Sequence, residues 1–184
     1  MTIAWRSFEL DPSAPPEREG ELASHLARKY GIPVEQAREA QRGLTATAAA
    51  EGLEFRFDLA HSGNSFDGHR LVHLAAEHGR QDAMKERLLR AYFSEGRLIS
   101  DPATLLDTGA EVGVPEAEIR TMLADDRFAE AVRADEQAAV TLGISGVPTF
   151  IVDRTVGVTG AQPPELLLEM LRQGWARREA AVAS

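Results

Sequence analysis

Hydrophobic positions along most of the chain are spaced for helices. Between Glu17 and Leu142, apolar residues recur at intervals of three and four, as Leu22, Leu26 and Tyr30 do. Glycines and prolines interrupt this stretch repeatedly and mark the ends of its elements. The pattern predicts helices over residues 17–30, 34–50, 65–78, 81–93, 101–113, 115–123 and 126–142.

Strand patterns occur near both ends of the chain. Ile3–Leu10 is predicted as a strand because apolar residues concentrate there before a proline-rich stretch. Val147–Asp153 is a short apolar run with β-branched and aromatic residues, and Thr155–Thr159 follows it as a second strand. A final helix is predicted from Pro163, with residues 177–184 as a frayed tail.

This order of elements predicts an α/β fold. A run of helices between a first strand and a later hairpin suggests a small α/β domain with a helical insertion. We assign residues 1–16 and 143–184 to the α/β domain and residues 17–142 to the insertion.

Composition narrows the classes of partner. The chain has 184 residues and a formal net charge of -9, which disfavours nucleic acids and anionic membrane surfaces as partners. No apolar run is long enough to span a bilayer, and the first residues lack the features of a signal peptide, so we expect a cytoplasmic protein. The chain contains no cysteine, which excludes a thiolate nucleophile, a disulfide and cysteine-bound zinc within these residues. We therefore expect no catalytic residue, metal or cofactor in this chain.

Several segments carry a family resemblance. Gly143–Asp153, with its Val147–Pro148 pair, resembles the cis-proline segment of thioredoxin-fold proteins. Gly157–Pro163 resembles the hairpin-to-helix turn of the DsbA-like family and its FrnE-like branch. Trp5–Leu10 is similar to that branch's second thioredoxin strand, and Asn64–Leu71 is similar to a helix start in its inserted domain. The resemblance implies a thioredoxin-like fold with an inserted all-helical subdomain.

The chain departs from the family where the redox chemistry would lie. In the family, a strand and a helix precede the strand that begins at Ile3, and a Cys-x-x-Cys active site opens that helix. The sequence contains neither, so the first strand and first helix are expected to be missing and the chain is expected to be redox-inactive as given. The sheet would then be completed in one of three ways: by a segment present in the native gene product, by pairing of the Ile3 strand with the Phe150 strand, or by a homodimer.

The resemblance also implies where a substrate binds. Val147 and Pro148 are expected to bind an extended peptide or a small-molecule thiol through the main chain. His69 is expected to face the cleft. Asn64 and Ser65 are candidates for substrate contact, although both also suit the simpler role of capping a helix.

Other chemistries remain open at this point. His69, His73 and Glu77 share one helix face with spacing that can bind a metal, although histidines of an ordinary helix are the simpler interpretation. For the chain as a whole, the expected activity of the family is dithiol–disulfide oxidation or isomerisation. The alternatives are a non-catalytic peptide- or thiol-binding module and a glutathione-dependent enzyme resembling 2-hydroxychromene-2-carboxylate isomerases.

Overall fold

The computed structural model describes the backbone of residues 2–182 and the side chains up to residue 180. Eight helices and two strands are formed within this range. The helices are α1 (Leu22–Tyr30), α2 (Val34–Ala50), α3 (Phe66–Glu77), α4 (Gln81–Phe93), α5 (Pro102–Glu111), α6 (Glu116–Ala124), α7 (Ala129–Thr141) and α8 (Pro164–Val182). The strands are β1 (Thr149–Val152) and β2 (Val156–Thr159). The chain divides into two compact units between Asp135 and Glu136.

The main core of the first unit lies among helices α3 to α6. Its fully buried side chains come from apolar positions spaced three or four apart on each helix. They include Leu71, Leu74, Met84, Leu105, Ile119 and Met122. Burying a side chain of this size contributes about 1.5–3 kcal/mol, so these positions dominate the stability of the unit.

Helix α5 begins at a well-formed cap. The Asp101 carboxylate accepts hydrogen bonds from the backbone N–H groups of Ala103 and Thr104, and Pro102 occupies the first helical position. The bond from the Thr104 N–H is the largest cause of a lowered pKa for Asp101. Because this pKa is depressed in the folded state, the cap stabilises the helix at neutral pH and is lost as the carboxyl becomes protonated.

Helices α1 and α2 pack through alanines. Ala23 and Ala27 of α1 and Ala37 of α2 form a small buried cluster, against which Leu26 and Ile32 pack. Such small side chains let two helix backbones approach closely while burying little apolar area. This helix pair therefore adds less to stability than the core around Leu71.

The second unit contains the β-hairpin and α8. The strands β1 and β2 are antiparallel, with Phe150 opposite Val158 and Val152 opposite Val156. Asp153 and Arg154 turn the chain with φ of 47° and 58°, which fits the right-handed twist of a hairpin. The predicted hairpin is formed.

The prediction of a strand at Ile3–Leu10 is wrong. The segment forms no ladder, because its main chain bonds to side chains of distant helices instead of to another strand. The Gln81 side chain accepts a bond from the Trp5 N–H (3.1 Å) and donates one to the Trp5 C=O (3.1 Å). The Asp135 carboxylate accepts the Ser7 N–H at 2.9 Å. The described sheet contains β1 and β2 alone, so it does not include a pairing of the Ile3 segment with the Phe150 strand, which was one of the three ways considered for completing the sheet.

The Gln81 contact allows a direct test. We expect Gln81→Ala to lower the free energy of unfolding by about 1–3 kcal/mol, since two part-buried hydrogen bonds are lost. The measurement is urea denaturation followed by circular dichroism. Gln173→Ala is the matched control, because that glutamine donates to the exposed Glu169 side chain on the same helix. Equal losses for the two variants would contradict the role given to Gln81.

Some helix boundaries also differ from the predictions. Helix α1 begins at Leu22 instead of Glu17, and α7 begins at Ala129 instead of Asp126 because Phe128 has a left-handed φ of 66°. The tail predicted from residue 177 is instead part of α8, which continues to Val182. The last two residues of that predicted tail lie outside the described part.

None of the helices in the described range has the length and apolar character needed to cross a membrane. The predicted division into residues 1–16 and 143–184 against 17–142 stays a prediction.

Candidate functional site

Val147 and Pro148 lie immediately before β1, and the peptide bond between them is cis. The Gly160 N–H donates to the Pro148 carbonyl at 2.7 Å, which extends the hairpin pairing by one position. The Thr149 hydroxyl donates to the Gly146 carbonyl at 2.8 Å and fixes the turn that leads into the strand. The side chain of Val147 is half exposed, at 50%.

The strand that follows has one open edge. Hydrogen-bonding groups alternate along an antiparallel strand, and the Pro148 carbonyl points towards β2. The main-chain N–H and C=O groups of Phe150 and Val152 therefore also face β2, while those of Thr149 and Ile151 point outwards. Among the described residues no further strand lies along this outer edge. Such an edge can accept an extended peptide as an additional strand.

Helix α8 supports this strand from one face. Val152 lies so close to Gly174 that a Cβ atom on the glycine would overlap the Val152 Cγ1 and approach its Cβ to 3.1 Å. The Arg177 guanidinium donates to the Thr155 carbonyl at 2.9 Å and holds the end of the hairpin. The close helix–strand contact thus fixes the position of β1.

The other predicted site residues lie at the start of α3. The Asn64 Oδ1 accepts the Phe66 N–H at 2.8 Å, and its Nδ2 donates to the Ala14 carbonyl at 3.4 Å. Ser65 stands at the N-cap position without a side-chain capping bond, and its carbonyl accepts the His69 N–H. Asn64 thus has a structural role that its sequence position already suggested. A role for Asn64, Ser65 or His69 in substrate binding stays a prediction.

His73 is engaged with neighbours that the sequence did not indicate. Its Nε2 lies 3.0 Å from the Ser7 hydroxyl and 3.3 Å from the Asp135 carboxylate. A catalytic serine needs the carboxylate on the other ring nitrogen, so these three residues do not form an activated nucleophile. Within the described range, no group of three histidine or carboxylate side chains is placed to hold a metal ion. The contacts of Ser7 with His73 and Asp135 instead hold the N-terminal segment against α3 and α7.

A second buried polar contact was also missed by the sequence interpretation. Arg70 on α3 is almost fully buried and donates to the carbonyls of Met122, Asp125 and Arg127, the last at 2.9 Å. Its guanidinium also pairs with Asp67 at 2.8 Å. Arginine in a helical pattern normally indicates an exposed position, so nothing in the sequence separated Arg70 from its exposed neighbours.

Comparisons with known proteins agree with this architecture. The model of the DSBA-like thioredoxin domain matches residues 1–172. A crystal structure of a probable DsbA oxidoreductase from Streptomyces coelicolor matches with a TM-score of 0.87 and 42% sequence identity, over 93% of this chain and 74% of that chain. No curated protein matches the chain. The predicted thioredoxin-like fold with a large helical part is confirmed, and the chain belongs to the family of DSBA-like thioredoxin domains.

Proposed function

We propose that this chain binds extended peptides, including those that carry a cysteine thiol, along the outer edge of β1, without redox turnover of its own. The observation that carries the proposal is the open edge at Thr149 and Ile151 beside the half-exposed Val147. The chain belongs to the family of DSBA-like thioredoxin domains, and its solved relative is a probable DsbA oxidoreductase. Enzymes of that class act on thiols and disulfides.

The open edge offers both kinds of main-chain group to a ligand. The N–H and C=O groups of Thr149 and Ile151 face outwards, while β2 occupies the opposite edge. An extended peptide would satisfy these groups in the manner of an added strand, and its apolar side chains would lie near Val147 and Ile151. Ile151 is 39% exposed, which leaves room for such contacts.

The absence of cysteine sets the second half of the proposal. Disulfide exchange proceeds by attack of a thiolate on a disulfide sulfur, and no other side chain replaces the thiolate in that step. With no cysteine among its 184 residues, the chain has no group to form the mixed disulfide. Binding and exchange are therefore separable in this chain.

The test uses proline to remove an outward donor. We expect Ile151→Pro to weaken binding of a fluorescently labelled, cysteine-containing extended peptide at least tenfold, because the outward N–H is lost and the edge is blocked. A tenfold loss corresponds to about 1.4 kcal/mol. Fluorescence anisotropy measures the dissociation constant. Ile151→Val, which keeps the N–H and a β-branched apolar side chain, is the matched control and should bind within about twofold of the unmodified chain.

Two results would count against the proposal. One is a peptide affinity that is undetectable or the same in Ile151→Pro and Ile151→Val. The other is acceleration of insulin disulfide reduction by dithiothreitol in the presence of the chain, since exchange would then occur without a cysteine. Circular dichroism of both variants checks that the hairpin unit remains folded.

Two finer assignments are part of the same proposal. The segment around Gly157–Pro163 supports the FrnE-like branch of the family, where a natural oxidoreductase would need cysteines supplied from outside these residues. The glutathione-dependent isomerase remains an alternative, and Asn64 is its candidate substrate contact. Saturable glutathione binding that Asn64→Ala abolishes would favour it over peptide binding.

A further inference from the structure

Helices α1 and α2 form a hairpin that packs against no other helix or strand of the described part. The two helices are tied to each other instead. The Arg38 guanidinium on α2 donates to both carboxylate oxygens of Glu21, just before α1, at 2.9 and 2.8 Å. Such bidentate pairing fixes the relative orientation of the two groups. Ala23 and Ala37 add a small buried contact between the helices. The hairpin is therefore a compact body of its own within the first unit.

The main chain enters and leaves this hairpin between two anchored points. On the entry side, the Arg18 N–H donates to the Ser62 carbonyl at 2.8 Å. On the exit side, the Glu54 carbonyl accepts the Ser94 hydroxyl at 2.6 Å. Between these anchors, the main-chain hydrogen bonds found in the described structure connect residues 21–53 only with one another. We call residues 21–53 the arm.

Both connections of the arm are short enough to act as hinges, which usually consist of a few residues at the ends of elements. At the entry, Gly20 has a φ of 89°, and an added Cβ atom would meet nothing within 4 Å. The glycine can therefore change its dihedral angles without a clash nearby. At the exit, the Leu53 N–H still donates to the Ala48 carbonyl of the arm at 2.9 Å, whereas Glu54 is already bonded outside it. Bending there is confined to the junction of these two residues.

A groove of about 880 Å³ separates α2 from the segment that follows it in the chain. One side is a face of α2 with the exposed Ala46 and Ala49, which we call the alanine wall. The other side carries the half-buried Phe55 and Phe57, which we call the aromatic wall. Phe55 stacks on Phe93 of α4 with ring centroids 4.4 Å apart, so the aromatic wall is held outside the arm. Two apolar surfaces of the same chain thus face one groove.

We propose that the arm turns about Gly20 and the Leu53–Glu54 junction and closes this groove, bringing the alanine wall onto the aromatic wall. The structure is the open form of this device. Closing removes apolar surface of both walls from water, which favours it. The small alanine side chains let α2 approach the rings closely. The motion leaves the bonds within the arm intact, so no helix has to unfold.

Spin labels can measure this motion cleanly, because the chain has no cysteine and only engineered cysteines take a label. Leu44→Cys on α2, at a position 55% exposed, and Arg120→Cys on α6, where the side chain is also exposed, form the arm pair. Leu89→Cys on α4 with Arg120→Cys is the control pair, since α4 and α6 share the main core. In double electron–electron resonance, we expect two distances for the arm pair and one for the control pair.

A charge on the alanine wall tests whether closing takes place at this groove. Ala49→Glu would place a carboxylate against the aromatic rings in the closed form, and burying an unpaired charge is unfavourable. We expect this variant of the arm pair to lower the population at the second distance about fivefold. Ala50→Glu is the matched control, because Ala50 is the adjacent exposed residue at the end of α2 and does not line the groove. It should change that population by less than about twofold.

Two results would overturn the proposal. One is a single distance for the arm pair, as narrow as that of the control pair. The other is an equal response of the second distance to Ala49→Glu and Ala50→Glu. Circular dichroism checks that the helices are retained, and the arm pair without further substitution decides the first question by itself. Neither result bears on peptide binding at Ile151, so the two proposals fail separately.

Discussion

Replacing Arg70 by methionine is expected to lower the free energy of unfolding by about 3–5 kcal/mol, the usual effect of breaking a buried, hydrogen-bonded charge site. The guanidinium serves the carbonyls of Met122, Asp125 and Arg127 together. Methionine fills similar space but offers no donor, so these carbonyls lose their partner. Each buried group left unsatisfied costs about 1–3 kcal/mol.

The position of these carbonyls adds to the effect. Met122 belongs to the last turn of α6, and Asp125 follows directly after that helix. A cation at a helix C-terminus is favourable because it lies at the negative end of the helix dipole. Arg70 therefore joins the end of α6 to α3 by both hydrogen bonds and charge.

Urea denaturation of Arg70→Met and Arg70→Lys measures this contribution. We expect the lysine variant to recover part of the stability, because an ammonium keeps the charge but cannot reproduce the planar fork of donors. Arg120→Met is the matched control, since the Arg120 side chain is exposed and pairs with the equally exposed Glu116. An unfolding midpoint for Arg70→Met equal to that of Arg120→Met would contradict this account.

Gly174→Val is expected to disrupt the second unit through a steric clash. Even the Cβ atom would overlap Val152 Cγ1, and Val152 is a β-branched residue of a strand with little freedom to move. Overpacking of this kind costs about 1–3 kcal/mol, and the extra methyl groups place valine at the upper end. Because the clash pushes α8 away from β1, peptide binding along β1 should weaken as well.

Gly43→Ala is the control for this substitution. Gly43 lies within α2, and an added Cβ would meet nothing within 4 Å. Alanine there should raise stability by up to about 1 kcal/mol, since glycine is the poorer helix former. Thermal unfolding followed by circular dichroism compares the two variants. If Gly174→Val were as stable as the unmodified chain, the close approach of α8 to Val152 would be disproved.

The helices could be predicted well where the sequence contains both their pattern and their boundaries. Helices α2 and α4 have the predicted bounds, Val34–Ala50 and Gln81–Phe93. A proline precedes the first of them, and Gly52 lies shortly after its end. These signals are local, so a single sequence carries them completely.

Contacts between distant residues could not be predicted in the same way. The apolar residues of Ile3–Leu10 favour a strand, but a strand also requires a partner, and this segment bonds to Gln81 and Asp135 instead. These two residues lie 76 and 128 positions from their partners in sequence. The left-handed φ of Phe128 shifts the start of α7 from the predicted Asp126 to Ala129. A phenylalanine does not indicate such a conformation, so this shift could not be predicted either.

The position of Val147 and Pro148 directly before a strand could be predicted from a local motif. Their role in binding stays a prediction. The cluster of Ser7, His73 and Asp135 joins three separate segments, and it became visible only in three dimensions.

The contact between Gln81 and Trp5 constrains what can occupy position 81. A primary amide carries one carbonyl and one NH₂ group, which is the same pair of roles that a peptide unit offers to its neighbour in a sheet. Glutamate would present a second acceptor to the Trp5 carbonyl, and lysine would present only donors to the Trp5 N–H. Asparagine has the required groups but is one methylene shorter. Glutamine alone combines this reach with both roles, so a single side chain makes here the two bonds that a neighbouring strand would make.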